Sequence, residues 1–378
     1  MKRLKKHIIR NKSCLTDNEI NQSVCTIKDF PAFFGCVESE QKDDLFTDME
    51  FFIEEKTGLI QLNKLIPLDI MYNEQHAYGV GNVWNNHYNE FATFISKNKK
   101  PGNVVEIGGS QDKLAKKVLD KNDCRWTIIE PNPSEEIDTK IKVIQSFFEE
   151  STVSFKPYNT VVISHVLEHA YNPKVFLFDL RNKVNDSTTI FISYPQLEVW
   201  LEKKYTNSLN FEHNIFLTEH HLDTLIENVG FNIISKHKYE DHSVFYELKI
   251  CTPRKKDYAN LFKRNKYLLI NFVNHYKKEV KEINKIIKST DKSIYLFGGH
   301  IFSQYLTVFR LNTKKIISIL DNSPQKQGRR LYGTNLMVFS PKILKEVKNP
   351  LVILRAANYN NEIKNDIIHN INDQTEFC

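Results

Sequence analysis

The segment "NVVEIGGSQDKLAKKVL", Asn103–Leu119, decides the fold of the central part of this sequence. Its β-branched apolar run is typical of a buried strand, and its glycine pair is typical of a sharp turn. The periodic residues that follow predict a helix. Glycine lacks a Cβ, so a backbone that turns at Gly108 and Gly109 can approach a ligand closely. We therefore predict a strand–turn–helix unit that holds a nucleotide-bearing molecule.

The spacing of these glycines narrows the choice of ligand. Dinucleotide-binding turns follow the pattern G-x-G-x-x-G, and here Lys113 occupies the last glycine position, which speaks against a bound pyrophosphate. Glu130 follows the next strand, "RWTII", where a carboxylate can accept hydrogen bonds from both hydroxyls of a ribose. A nucleoside without a pyrophosphate is favoured, which suggests S-adenosylmethionine. Phe147 and Phe148, in "QSFFEE", are candidates to lie beside its adenine, with core packing as the alternative.

Composition limits the class of protein. The chain has 378 residues, 41% of them hydrophobic, with 25 Phe and 16 Tyr, so two or three well-packed domains are expected. The net charge of +6 is spread along the chain, which argues weakly for nucleic acid and is compatible with an anionic sugar diphosphate. The sequence shows no segment that resembles a signal peptide or a membrane span, so a cytoplasmic location is predicted. The six scattered cysteines are expected to be free thiols.

The order of the predicted elements indicates an α/β protein. Strand-like runs alternate with helical segments between residues 103 and 253, which favours a Rossmann-like, doubly wound sheet. The last two runs, "FNIISKHKY" and "SVFYELKI", predict an antiparallel hairpin. A long helical segment then leads to a second strand–glycine–helix unit. We predict a small α+β N-terminal domain over residues 1–95, a nucleoside-binding core over 96–253 and a smaller Rossmann-like domain over 254–378.

The segment "VISHVLEHAYNPKVFLF", residues 162–178, resembles the class I S-adenosylmethionine-dependent methyltransferases. More narrowly, the chain resembles the three-domain sugar methyltransferases that C-methylate nucleotide-linked keto-sugars. The similarity includes "TGLIQLNKLIPLDIMY", residues 57–72, and "ILDNSPQKQGRRLYGT", residues 319–334, so it covers nearly the whole chain. The resemblance implies S-adenosylmethionine as the cofactor, S-adenosylhomocysteine as its product, and a sugar or sugar nucleotide as the partner.

The resemblance also implies roles for individual residues. The family's Tyr-His-Glu-His segment corresponds to residues 210–213, where Glu212 and His213 are retained. His213 is predicted as the general base, and Glu212 is assigned an orienting or sugar-binding role. The predicted cofactor-binding residues are Glu106, Gly108, Gly109, Ser110, Glu130, Pro131, Phe147, Phe148 and His165. The predicted substrate-binding residues are His76, Tyr78, Trp84, His169 and His242. Glu106 could instead order the turn.

The N-terminal part departs from the family, which has two cysteine pairs that bind a structural zinc. Glu54 and Thr57 stand where the second pair is expected. Without four soft ligands a closed tetrahedral zinc site is difficult to form, so we predict no bound metal there. A degenerate site that uses Cys14, Cys25 or Cys36 is the alternative.

The acceptor atom is the point at which the sequence departs most from the family's chemistry. Asn210 and Phe211 replace the tyrosine and first histidine of the tetrad, so fewer groups could stabilise an enolate. O-methylation of a sugar for capsule-type polysaccharide is therefore favoured slightly, with C-methylation of a keto-sugar as the close alternative. Two other classes stay open: a non-catalytic nucleotide-binding protein, and a nucleic-acid methyltransferase, although the "PPY"-type tetrapeptide of the latter is absent.

Overall fold

The structure is a computed structural model that describes residues 2–72, 82–97 and 101–378. Two predicted substrate-binding residues, His76 and Tyr78, lie outside the described residues. The N-terminal part is built around a five-stranded sheet in which β5 pairs with β1, β3 and β6. Its elements are β1 (Lys2–Arg3), β2 (Ile8–Ile9), β3 (Ser23–Pro31), β4 (Cys36–Val37), β5 (Leu45–Ile53), β6 (Ile60–Leu62), β7 (Lys64–Leu65), α1 (Leu68–Met71) and α2 (Asn82–Ser96).

The central part contains a seven-stranded sheet flanked by helices. Its elements are β8 (Asn103–Ile107), α3 (Lys113–Leu119), β9 (Arg125–Ile129), β10 (Lys142–Ile144), β11 (Thr160–Ser164), α4 (Pro173–Lys183), β12 (Thr189–Pro195), α5 (Leu197–Glu202), β13 (Ile215–Phe216), α6 (Glu219–Asn228), β14 (Phe231–Tyr239) and β15 (Ser243–Ile250). The strand order is β10-β9-β8-β11-β12-β15-β14. Strands β8 to β12 are parallel, whereas β14 and β15 form an antiparallel hairpin at the edge, as predicted.

The residues of the central strands explain this arrangement. β12 is buried along its whole length and β8 from its second residue onward, which is expected for parallel strands covered by helices on both faces. Asn172 caps α4 by accepting a hydrogen bond from the backbone of Val175, and Pro173 occupies the first turn. α6 begins with a capping box between Thr218 and His221. The predicted doubly wound α/β core is confirmed.

The C-terminal part begins with the long helix α7 (Phe262–Ser289), whose apolar stripe is buried. A five-stranded parallel sheet follows, in the order β19-β17-β16-β20-β21. Its further elements are β16 (Ile294–Phe297), α8 (Ile301–Val308), β17 (Ile316–Leu320), β18 (Arg330–Leu331), β19 (Val338–Phe339), β20 (Leu351–Leu354), α9 (Asn360–Asp366) and β21 (Glu376–Phe377). In the described part of the chain, no helix has the length and apolar character that a membrane crossing requires.

Two short strands pair across the predicted domain boundaries. β13 lies between central-sheet elements in sequence but belongs to the N-terminal sheet, where it pairs with β6 in the register Ile215–Gln61. β4 pairs with β18 of the C-terminal part, beside a buried ion pair between Asp44 and Arg330. The first pairing matters for the site, because it anchors the chain directly after His213.

Candidate active site

A cavity of about 260 Å³ opens at the carboxyl ends of β8, β9 and β11, where ligands of doubly wound sheets bind. Most of the predicted site residues meet there. The predicted residues that line it are Gly108, Ser110, Glu130, Pro131, Phe147, Phe148, His165, His169 and Glu212. Glu106, Gly109, Trp84, His213 and His242 are outside this lining.

The glycine turn forms one wall of the cavity. Gly108 has φ of 79°, in the left-handed region, and a Cβ there would lie 2.3 Å from Cγ2 of Val166. A Cβ on Gly109 would lie 2.7 Å from Cδ of Glu106, whose carboxylate sits directly behind the turn. Glu106 accepts a hydrogen bond of 2.8 Å from Nε1 of Trp126, and burial raises its pKa to about 8. Glu106 therefore packs behind the turn and outside the cavity lining, a position compatible with an ordering role.

Glu130 also lines the cavity, directly after the end of β9. One carboxylate oxygen accepts a hydrogen bond of 2.9 Å from the backbone of Asn132, and burial raises the pKa of the group. Phe147 lies at the cavity with its ring 6.2 Å from that of Tyr72, edge to face. Phe148 also reaches the cavity, but its ring packs 4.5 Å from Phe176 in the core. Phe147 is thus the better placed of the two for a flat heteroaromatic ligand.

His165 closes the cavity after β11 in a strained conformation, with φ of 54°. Its Nε2 lies 2.8 Å from Oγ of Ser243, and its Nδ1 lies 3.0 Å from Oε1 of Glu168, at ion-pair distance but not aligned as a hydrogen bond. Trp84 and His242 pack against its ring at 4.9 and 5.3 Å instead of lining the cavity. Burial lowers the pKa of His165 to about 3, so this imidazole is neutral at physiological pH.

Two acids and two imidazoles cluster at a second side of the cavity, where His169 and Glu212 line it and Glu168 and His213 lie behind them. Nδ1 of His169 lies 3.5 Å from Oε2 of Glu212, and the rings of His169 and His213 are 5.0 Å apart. Nδ1 of His213 is buried and has no hydrogen-bond partner among the described residues. Glu168, His169 and His213 each present a ligand atom within 4.8 Å of the other two. These groups come from the "VLEH" and "FEH" segments, which the fold brings together.

Burial shifts the protonation of this group. It raises the pKa of Glu212 to about 8 and that of Glu168 to about 7, because a carboxylate loses its hydration. It lowers the pKa of His169 and of His213 to about 4. Near pH 7 the site therefore contains neutral imidazoles, which can accept a proton, beside a mostly protonated Glu212, which can donate a hydrogen bond.

The two residues that differ from the family's tetrad have structural roles. Oδ1 of Asn210 accepts hydrogen bonds of 2.8 Å from the backbone N–H groups of both Glu212 and His213. Phe211 is buried, with its ring 6.1 Å from Phe30. Together with the β6–β13 pairing, these contacts fix the backbone that carries Glu212 and His213.

The N-terminal part replaces the expected zinc site with hydrogen bonds. Ser13 and Thr57 each donate to Oε2 of Glu54 at 2.7 Å, and Thr16 donates to its other oxygen. Residues 13–18 and 54–59 form equivalent turns, since each first residue bonds to the fifth and sixth, with positive φ at Asp17 and Gly58. The four side chains have the spacing of two C-x₂-C pairs but include no cysteine: they are Ser13, Thr16, Glu54 and Thr57. Without thiolate ligands they do not fit a structural zinc ion.

The three predicted cysteine candidates for a degenerate site do not converge. Cys14 contacts the backbone of Tyr171, and Cys36 contacts that of Gly299 in the C-terminal part. Burial raises the pKa of the Cys25 and Cys36 thiols to about 12, so these thiols stay protonated. The alternative of a zinc site built from these cysteines is therefore not supported.

Comparison with protein families gives two matches. Residues 84–236 match a family model described as a methyltransferase domain, and residues 256–378 match one described as a C-methyltransferase C-terminal domain. The chain is a class I S-adenosylmethionine-dependent methyltransferase. S-adenosylmethionine is accordingly its cofactor. In this methyltransferase the first match includes the glycine turn, Glu130 and both acid–imidazole segments.

Solved structures similar to this methyltransferase show low identity. The plantazolicin methyltransferase, in complex with SAH, is 13% identical with a TM-score of 0.35, over 44% of this chain and 84% of its own. The Burkholderia thailandensis 1,6-didemethyltoxoflavin-N1-methyltransferase is 10% identical with a TM-score of 0.38, over 53% and 97%. The mitomycin 7-O-methyltransferase is 14% identical with a TM-score of 0.36, and the match covers 44% of this chain and only 56% of that protein. Comparison with curated proteins gives no match.

Sequence reasoning missed part of the methyltransferase's cavity. The N-terminal part contributes Phe34, Leu68, Met71 and Tyr72, and the segment after "VLEH" contributes Tyr171. Leu68, Met71 and Tyr72 belong to "LIPLDIMY", which carried the family resemblance but had no assigned contact. The chain places them at the cavity because α1 lies beside the end of β9, where Asn132 donates a hydrogen bond to the Tyr72 carbonyl.

Proposed function

We propose that this methyltransferase acts on a nucleotide-linked keto-sugar and transfers the methyl group to a carbon beside the ketone. One observation carries the proposal: a single cavity combines the glycine turn and Glu130 with the His169–Glu212 pair. The first set suits a nucleoside, and the second set suits removal of a proton next to a carbonyl group. The match of residues 256–378 to a C-methyltransferase domain supports carbon as the acceptor.

The cavity fits the cofactor on local grounds. Val166 and Glu106 fill the space that a Cβ would need at Gly108 and Gly109, and the Gly108 backbone itself lines the cavity. Glu130 uses one oxygen for the Asn132 backbone and keeps the other for ribose hydroxyls. When bound, S-adenosylmethionine supplies an activated methyl group on a sulfonium. Glu130, Gly108 and Phe147 would hold the nucleoside, and Ser110 would lie near its amino acid part.

The chain's own residues would handle the proton. His213 is proposed as the base, with Nδ1 as the accepting atom, because that nitrogen has no other partner among the described residues. His169, which lines the cavity, is in ring contact with His213. Protonated Glu212 would donate a hydrogen bond to the oxygen on which negative charge develops, a role for which the family's tyrosine is missing. This donor removes the sequence-based objection to an enolate.

O-methylation of a sugar hydroxyl is the second candidate. It is favoured by Asn210 and Phe211, which contribute backbone and core contacts instead of groups that act on a substrate. A hydroxyl acceptor requires one base and good alignment, and less charge stabilisation. In both cases we propose that the product supplies a cell-surface polysaccharide of the capsule type.

Product analysis separates the candidates. The enzyme is incubated with S-adenosylmethionine carrying a ¹³C-methyl group and a panel of sugar nucleotides with and without a ketone, and the product methyl is assigned by NMR. We expect a methyl bonded to carbon, only with keto-sugars, and exchange of the adjacent proton in D₂O. A methoxy signal would establish O-methylation instead. Cofactor binding without any product across the panel would favour a non-catalytic role.

A further inference from the structure

Three histidines from separate parts of the chain converge beside the cavity. His87 lies on α2, His165 follows β11, and His242 lies in the turn between β14 and β15. Each presents one ligand nitrogen, and these three nitrogens lie within 4.8 Å of one another. Sequence reasoning assigned His242 to the substrate and His165 to the cofactor. The proposed reaction does not use the imidazoles of His87 and His242.

Two of the three rings have a nitrogen hydrogen-bonded to a serine hydroxyl, and the third ring faces a carboxylate at ion-pair distance. Nε2 of His87 lies 2.8 Å from Oγ of Ser193, and Nδ1 of His242 lies 2.7 Å from Oγ of Ser243. Nδ1 of His165 faces Oε1 of Glu168 at 3.0 Å. Metal-binding histidines in proteins are held in this way, with the second nitrogen directed at a carboxylate or another acceptor, which fixes the tautomer.

An unpaired nitrogen of His87 is the strongest sign of a ligand at this cluster. Nδ1 of His87 is buried and has no hydrogen-bond partner among the described residues, an unfavourable state for a polar atom. Nε2 of His165 lies 2.8 Å from Oγ of Ser243, a contact that a bound ion would replace.

The surroundings shield the cluster from water. His87 and His242 are 0% and 5% exposed. The indole ring of Trp84 packs against all three imidazoles, with centroid distances of 5.3 Å to His87, 4.9 Å to His165 and 4.8 Å to His242. The three ligand nitrogens therefore lie close together beside the indole ring of Trp84.

We propose that His87, His165 and His242 bind one transition-metal dication, with Zn²⁺ as the best match to three imidazole ligands. The ion would join α2, the end of β11 and the β14–β15 turn, and so fix the His165 side of the cavity. The site is separate from the cysteine-type zinc site that the resembled family has in its N-terminal part. It goes beyond the proposed function, because it concerns metal content, whichever acceptor is methylated.

Metal content tests this proposal on the full chain. The protein is treated with a chelator, exposed to Zn²⁺ or Co²⁺ and desalted, and the retained metal is measured by mass spectrometry. We expect one ion per chain, with the intense visible bands of four-coordinate Co²⁺. His87→Ala and His242→Ala should lose the ion. His237→Ala, which removes an exposed histidine of β14, is the matched control and should retain it.

Further variants keep the test decisive if the histidine variants fold poorly. Ser193→Ala removes only the outer partner of His87 and should weaken metal affinity about 10- to 100-fold. Absence of any retained ion, or retention by both cluster variants, would overturn the proposal. Loss of the ion in His169→Ala and His213→Ala, but not in His87→Ala, would also overturn it. The metal would then belong to the group formed by Glu168, His169 and His213. Binding of S-adenosylhomocysteine by the metal-free protein is measured separately, so failure here is distinct from failure of the proposed reaction.

Discussion

Nδ1 of His169 lies 3.5 Å from Oε2 of Glu212, although 43 residues separate them in sequence. The contact joins the segment after β11 to the segment before β13, and β13 is anchored on the N-terminal sheet. The position of His169 relative to Glu212 therefore depends on both the central and the N-terminal parts of the chain.

Substitution distinguishes His213 from His169 as the general base. If His213 is the base, His213→Ala should lower kcat for methyl transfer about 10²- to 10⁴-fold, because general base catalysis contributes that much. Binding of S-adenosylhomocysteine, measured by calorimetry, should persist. His169→Ala is the companion variant. A near-normal kcat in His213→Ala together with a large loss in His169→Ala would move the base to His169.

The pH dependence of the reaction should follow Glu212. Its pKa is raised to about 8, so the carboxyl group is protonated below that pH and loses its donor proton above it. We expect kcat to fall as the pH rises through about 8, while His213, with a pKa of about 4, stays neutral throughout.

Glu212→Gln keeps an N–H donor that does not titrate, so the loss of rate at alkaline pH should disappear in this variant. Glu106, whose pKa is also about 8, is the necessary comparison. If the alkaline loss persists in Glu212→Gln and disappears in Glu106→Gln, the titrating group lies behind the glycine turn.

The buried Asp44–Arg330 pair should stabilise the contact between the N-terminal and C-terminal parts. Two hydrogen bonds of 2.6 and 2.7 Å join the side chains, and both residues are buried. Asp44→Ala leaves the guanidinium without its partner and should cost about 3–5 kcal/mol of unfolding free energy. The exposed pair Arg329–Glu38 is the control, and Glu38→Ala should cost about 0–1 kcal/mol. Equal shifts of the urea unfolding midpoint in the two variants would contradict this assignment.

The hydrogen-bonded cluster around Glu54 should be convertible into a zinc site. Its two turns have the same backbone hydrogen bonds and the same spacing, so cysteines at positions 13, 16, 54 and 57 would present four thiolates to one point. The quadruple variant Ser13→Cys, Thr16→Cys, Glu54→Cys and Thr57→Cys should bind one zinc ion more than the unmodified chain. The double variant at positions 13 and 16 is the control. A folded quadruple variant without additional zinc would show that the turns are not equivalent.

The sequence allowed prediction of the features that depend on local patterns. Apolar runs identified β8, β9, β11, β12 and the late hairpin, and the glycine pair with Glu130 identified the edge of the sheet where the cavity lies. Pairings between distant short segments were not predictable, because a two-residue strand such as β13 has no periodicity of its own. Its pairing with β6 positions Glu212 and His213, so the position of these two residues relative to His169 could not be predicted from the sequence either.

The N-terminal cluster had a signal that was overlooked. Ser13–Asp17 and Glu54–Gly58 share the pattern of two polar residues three positions apart, followed by a residue with positive φ. Recognising this repeat would have aligned Ser13 and Thr16 with the family's first cysteine pair. The burial of Glu106 behind its turn, by contrast, depends on Trp126 from the neighbouring strand and could not be inferred from spacing.

Calorimetric titration with S-adenosylhomocysteine tests the central claim most directly, which is that the cavity between the glycine turn and Glu130 holds the cofactor. We expect one binding site on the unmodified chain. We expect Glu130→Ala to weaken binding about 10- to 100-fold, since hydrogen bonds to a charged group contribute about 1.5–3 kcal/mol. Glu150→Ala, on the exposed turn that follows β10, is the matched control and should bind normally. Absence of binding to the unmodified chain, or unchanged affinity in Glu130→Ala, would contradict the account.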